Sequence, residues 1–289
     1  MNKKEIKELK QQYDQLYFDY VKNKNLIKDE KHLELEELKD QYKLDRLTLK
    51  NPLKASKFQL KLDKKRENRI KNEPPKRGVL EEIGNSVTHG VGAIIGLAFL
   101  ILMLQISDTS LKLVASSIYG ICFILQMLFS CLYHSFRSGS TVKRVFRRFD
   151  YSTIYLQLAG TFTPLLLVYT PIRMGYTWVG ITLCIIQWAL VITGITFVAV
   201  FGPGRIRWLH YTLYFVLGWS ALVFLPYWVI NKDYWLLFYI LLGGVIYSLG
   251  MIPFAVFRKK KVAHFIWHFV VLAGAIVQFL GIYLCVLPM

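Results

Sequence analysis

From residue 86 to the end, the chain is a succession of apolar runs, each about 20 residues or longer, the length needed to cross a hydrocarbon core roughly 30 Å thick. The predicted spans are 86–106, 114–133, 151–169, 176–201, 210–230, 234–257 and 263–287. A soluble core gives one or two such runs. Seven in a row with short connectors predict an all-α bundle of seven transmembrane helices in a multi-pass protein of the cell membrane. The apolar fraction of 54% understates this pattern because the first quarter of the chain is strongly polar.

Orientation follows from the connectors, since short loops rich in Lys and Arg stay in the cytoplasm. The second connector carries Arg137, Lys143, Arg144, Arg147 and Arg148, the fourth Arg205 and Arg207, and the sixth Arg258, Lys259, Lys260 and Lys261. The alternate connectors hold only Lys112, Arg173 and Lys232. The expected topology therefore has a cytoplasmic N-terminus and an external C-terminus, the reverse of the usual seven-helix receptor coupled to G proteins.

Residues 1–77 form a charged cytoplasmic extension of a different kind. Ile6, Leu9, Tyr13, Leu16 and Tyr20 follow a 3,4 spacing, as do Leu35, Leu38, Tyr42 and, after a charged Asp45, Leu49. The pattern predicts two helices or one interrupted helix, too broken for a stable coiled coil. Asn51-Pro52 ends it. From Pro52 to Arg77 the chain turns basic and reads as a juxtamembrane linker lying against anionic lipid, each nearby basic side chain contributing roughly 1 kcal/mol. That stretch and the inner loops account for much of the net charge of +17, and without a recognition motif the charge does not point to nucleic acid. No cleavable signal is expected before the first span.

Histidine is scarce, six in all, and three of the six fall at one membrane depth. His134 ends the second span, and His264 and His268 open the seventh four residues apart, so both can share a helix face. Three imidazoles there suggest a zinc site with one open position. Ser130 stands one turn before His134, and Asp150 brings a carboxylate at the inner start of the third span. His89 follows Glu82 and Asn85 in a polar stretch, Glu82 to Gly90, which fits a hydrogen-bonded network supporting the site. His210, beside Arg207 and Trp208, reads as interfacial, and His32 as solvated. The cysteines Cys122, Cys131, Cys184 and Cys285 lie within spans without ligand spacing and read as packing residues.

Three stretches together resemble the haemolysin III group, within the wider progestin and adipoQ receptor family that includes the adiponectin receptors, with alkaline ceramidases as more distant relatives. They are Glu82-Ile-Gly-Asn85-Ser-Val-Thr88-His89-Gly90, Ser130-Cys-Leu-Tyr133-His134 followed by Phe149-Asp150, and His264-Phe-Ile-Trp267-His268. The likeness continues through Ala159-Gly-Thr161-Phe-Thr163-Pro164 and Tyr247-Ser-Leu-Gly250, and so covers about residues 78–289. It implies a helical bundle with zinc near the cytoplasmic leaflet, held at His134, His264 and His268. It also implies that Asp150 meets the zinc's water, with Ser130 close by.

Zinc with an open position activates water at neutral pH. Asp150 is then the candidate proton carrier, and Ser130 the candidate donor to a developing oxyanion. A site at the inner leaflet points to hydrolysis of an amide or ester in a ceramide-like or other acyl lipid. Two further readings stand beside it. One is a receptor or sensor whose zinc is structural. The other is a cytolytic pore, which the absence of ionisable residues between the span ends disfavours; Gln126, Gln157, Gln187 and Gln278 are the polar groups there.

Overall fold

The computed structural model describes residues 3–26, 32–256 and 261–289, which divide into two compact units, Met1–Lys71 and Asn72–Met289. The described residues hold helices and no strand.

In the first unit, α1 (Lys3–Leu26) and α2 (His32–Lys50) pair through the tyrosines of the 3,4 pattern. Tyr20 stacks on Tyr42 with ring centroids 4.4 Å apart, and Tyr13 Oη donates to the Arg46 carbonyl at 3.1 Å. The break falls at Asn51-Pro52 as the sequence predicts, but the basic stretch beyond it is helical: α3 runs from Pro52 to Asn72. The reason is local. Pro52 starts the helix, where its missing N–H costs nothing, and Asn51 Oδ1 accepts from the Lys54 N–H at 3.0 Å. Lys65 then reaches Glu36 and Asp40, and Arg69 reaches Glu36 and Glu37, at 2.6–3.1 Å. Each such partly exposed pair is worth about 1 kcal/mol or less, so the ladder aligns α3 on α2 more than it stabilises the unit.

The second unit is the bundle. Its helices are α4 (Val79–Gln105), α5 (Ser110–Ser135), α6 (Thr141–Pro164), α7 (Thr170–Met174), α8 (Thr177–Phe201), α9 (Arg207–Trp219), α10 (Leu225–Ile230), α11 (Tyr234–Val256) and α12 (Lys261–Cys285). Two of the predicted spans are compound. A π-helical turn, Leu165–Tyr169, follows Pro164 and joins α6 to α7, and a 3-10 segment, Ser220–Phe224, precedes Pro226 and joins α9 to α10. At these prolines a ladder N–H is missing, so the helix changes its hydrogen-bond period where a kink is expected. Position 180 answers the first change: a Cβ on Gly180 would collide with the Leu166 carbonyl of the π turn.

Among the described residues, six helices or helix pairs are long and apolar enough to cross a membrane: Val79–Gln105, Ser110–Ser135, Thr177–Phe201, Arg207–Ile230, Tyr234–Ile252 and Ala263–Cys285. Residue 257 and the basic residues 258–260 lie outside the described residues. The predicted third span is helical throughout but falls short of that apolarity, because α6 carries its polar groups into the bundle. Lys143, Arg147, Thr153, Gln157, Thr161 and Thr163 are all buried. Helix α6 packs between α5 and α8, while α4 packs on α5 and on α12. The outward faces are apolar, as at Ile94, Ile181 and Ile185, and their backbone groups are paired within the helices, as a hydrocarbon environment requires. The chain is a helical, multi-pass membrane protein. Phe99 and Phe279 stack in the core with centroids 3.5 Å apart, tying α4 to α12, the contact that sets the histidines of α12 beside α4 and α5.

Candidate metal centre

His134 sits in the last turn of α5, and His264 and His268 on one face of the first two turns of α12. Their rings converge with centroids 4.7–5.1 Å apart. His264 Nε2 lies 3.2 Å from His134 Nε2 and 3.2 Å from His268 Nε2, and one nitrogen from each ring falls within 4.8 Å of the others.

Hydrogen bonding among the three rings does not account for this geometry. Glu82 Oε2 lies 2.5 Å from His134 Nδ1, so that nitrogen carries the proton and His134 Nε2 presents a lone pair. His264 Nε2 can donate to it, but then has no lone pair left for His268. An ion removes the conflict: three neutral imidazoles each present one lone pair inward. Two nitrogens about 2.0–2.1 Å from a tetrahedral zinc lie about 3.3 Å apart, which matches both short separations. The donor set fits a metal ion held by His134, His264 and His268. No fourth His, Cys, Asp or Glu among the described residues brings a donor into the same cluster.

The residues around the rings orient them. The Glu82 carboxylate on α4 is the partner expected of a ligating imidazole, fixing tautomer and ring angle together. Asn85 Nδ2 lies 3.5 Å from the same Nδ1 and is fully buried. His89, also buried, lies against His268 with centroids 3.9 Å apart, its Nε2 3.3 Å from the His268 carbonyl. The stretch from Glu82 to His89 thus touches two of the three rings.

Beside the cluster opens a cavity of about 130 Å³, lined by His264, His268, His89, Asp150 and Ser130 at one end. The Ser130 hydroxyl faces the Asp150 carboxylate. The cavity continues past Gln126 and Gln157 to Gln278, ten residues beyond His268 on α12 and so about 15 Å along the helix. Its walls are mostly apolar, including Ile154, Leu158, Phe215 and Val271. All eight predicted site residues therefore belong to one connected neighbourhood: three converging rings, Asp150, Ser130 and His89 on the cavity, and Glu82 and Asn85 behind.

Two placements differ from the sequence reading. His210 is fully buried rather than interfacial, because Tyr155 Oη satisfies its Nδ1 at 2.9 Å inside the bundle. Lys143 is not a solvated loop residue. Helix α6 starts at Thr141, capped by Ser140 Oγ accepting from the Lys143 N–H at 3.1 Å, which turns the fully buried Lys143 side chain inward. Its Nζ lies 2.9 Å from Glu82 Oε1 and donates to the Phe136 carbonyl at 2.9 Å. Arg77, missed as well, donates to Tyr133 Oη at 3.2 Å and pairs with Glu81 at 3.3 Å. The signal was available for Lys143: with Arg147, Asp150, Ile154 and Gln157 it follows the i, i+4, i+7 rhythm of one helix face.

A family described as "Haemolysin-III related" matches residues 78–279. The chain is 37% identical over 213 residues to "Hemolysin-3" of Bacillus cereus, covering 73% of this chain and 94% of that protein. It is 35% identical over 207 residues to "Hemolysin-3 homolog" of Bacillus subtilis (strain 168), covering 70% and 92%. The helical bundle, the match across nearly all of it and the near-complete coverage of both relatives make this chain a member of the haemolysin III family.

Proposed function

We propose that this membrane protein is a zinc-dependent hydrolase of amide or ester bonds in an acyl lipid. One observation carries the reading: three imidazole nitrogens converge beside an apolar cavity whose lining there includes a carboxylate and a hydroxyl. His134, His264 and His268 hold the ion. Zinc in a site with an open position supplies Lewis acidity and activates water at neutral pH. Asp150 takes the proton from the attacking water and returns it to the leaving amine or alkoxide. Ser130, facing Asp150, donates to the oxyanion that develops on the scissile carbonyl. The apolar walls beyond them take the acyl chain and keep bulk water out. With seven crossings and basic connectors inside, the site lies at the cytoplasmic leaflet and the substrate enters from the membrane; the basic helix α3 rests against anionic lipid.

A receptor or sensor with a structural zinc is the second reading, favoured by the fact that the three rings come from two helices, α5 and α12, which an ion would clamp. The hydrolase reading is preferred because a structural zinc normally has four protein ligands and the cluster has three. Asp150→Ala separates the two. A catalytic Asp150 predicts zinc retained with turnover lost on a panel of N-acyl and O-acyl lipids; zinc lost with the carboxylate supports the structural role. A zinc-loaded wild type that cleaves nothing across the panel overturns the hydrolase.

A further inference from the structure

Lys143 is the most deeply buried cation among the described residues, with none of its surface exposed, and its ammonium lies against three groups. Glu82 Oε1 lies at 2.9 Å, the Phe136 carbonyl at 2.9 Å and the centroid of the Tyr133 ring at 4.9 Å. Two of these partners flank His134 in sequence, and the third is the carboxylate whose other oxygen meets His134 Nδ1. The three groups form a line of alternating charge and dipole, Lys143 Nζ to Glu82 to His134, reaching from α6 through α4 to α5.

We propose that Lys143 is a positioning residue for the metal centre: it holds the Glu82 carboxylate in the orientation that meets His134 Nδ1 and turns Nε2 toward the ion. This rests on the reading of the histidine cluster as a metal site and deepens it. The Glu82 side chain is largely buried, 13% exposed, and its second oxygen lies against the Lys143 ammonium at 2.9 Å, which fixes how the carboxylate is turned. Without the ammonium, the second oxygen of Glu82 loses the contact that holds it, and the carboxylate can turn away from His134 Nδ1. The tie to the Phe136 carbonyl has a second effect. It holds the C-terminal end of α5, which carries His134, against the start of α6, which leads to Asp150 one helix face onward. Lys143 thus sets the ring that binds the ion and anchors the helix that carries the proposed proton carrier.

The test is a double-mutant cycle on the purified full-length protein, read as zinc affinity by competition with a chromophoric chelator and as the visible absorption of the Co2+-substituted site. Lys143→Met is expected to weaken zinc binding 10- to 100-fold, the usual loss when an outer partner of a ligand is removed, and to shift the Co2+ bands. Glu82→Gln is expected to lose a similar factor. Because Lys143 acts through Glu82, Glu82→Gln with Lys143→Met should bind zinc within about threefold of Glu82→Gln alone, a non-additive cycle. Wild-type affinity in Lys143→Met overturns the proposal, and so do losses that multiply in the double variant. If Lys143→Met does not fold, the comparison of Glu82→Gln with the double variant decides alone: equal affinity supports the relay and a further loss overturns it. A wild type that takes up neither zinc nor cobalt instead overturns the metal reading beneath it.

Discussion

At His210, one buried imidazole meets one hydroxyl: Tyr155 Oη at 2.9 Å from Nδ1, with Tyr214 packed beside both rings. At His134, three imidazoles meet one another, and the polar partners stand behind them rather than between them. Both regions bury histidine in the same bundle, yet only in the second do the rings turn lone pairs toward a common point. The difference lies in what faces Nδ1. A neutral tyrosine leaves the tautomer of His210 open, whereas a carboxylate fixes that of His134. Burial of a histidine in a membrane bundle is therefore a weak sign of function; a carboxylate behind it and a second ring in front of it are a strong one.

The sharpest break between the two regions is metal content. Elemental analysis of purified wild type should find about one zinc per chain, and His134→Ala and His268→Ala should fall to background, since two imidazoles leave too few ligands for a stable site. His210→Ala should keep the wild-type content. Equal zinc in all four proteins would erase the distinction.

Asp150→Ala probes the open side of the cluster. With the three histidines intact, zinc should remain, while turnover of an acyl-lipid substrate should fall by about 10²- to 10⁴-fold, the usual range for a lost general base. A fall in zinc matching the fall in turnover would move Asp150 into the ligand set and make the two buried regions differ in ligand number as well as in tautomer.

Chelation sharpens the contrast at lower cost to the protein. An ion that binds only the folded chain stabilises it by about 4 kcal/mol at a thousandfold excess over its Kd. Removing it should lower the unfolding midpoint of wild type and of His210→Ala by similar amounts. His134→Ala, already without metal, should not respond. A chelator effect of equal size in His134→Ala would place the stabilising ion elsewhere.

Much of this was legible in the sequence, for identifiable reasons. Apolar run length marked the spans, and the i, i+4 spacing of His264 and His268 put two ligand candidates on one face. Depth counting from those runs brought His134, Ser130 and Asp150 level with them. The polar residues of α6 were harder. Lys143, Arg144, Arg147 and Arg148 read as an inner loop because run composition defines spans by their apolar stretch, and α6 already begins at Thr141, well before its apolar part starts at Ile154, as a helix whose polar face turns inward. The same blindness hid His210. Its neighbours Arg207 and Trp208 belong to a membrane-boundary pattern, but one further turn of α9 carries position 210 onto the face that meets Tyr155, a contact 55 residues away that no local pattern encodes.

That contact gives the smallest of the expected effects. Tyr155→Phe keeps the ring, which is fully buried against Gly194 and Tyr214, and removes only the hydroxyl facing His210 Nδ1. His210 Nε2 already lacks a partner among the described residues, so the variant leaves both ring nitrogens of a fully buried imidazole unsatisfied. An orphaned buried polar group costs about 1–3 kcal/mol, and the unfolding midpoint should fall accordingly in the zinc-loaded and the zinc-stripped protein alike. Zinc affinity should stay within experimental error of wild type, because nothing in the pair touches Glu82 or the three converging rings. A change in zinc affinity in Tyr155→Phe would mean that the two histidine regions are coupled through α6, and that His210 belongs to the metal centre after all.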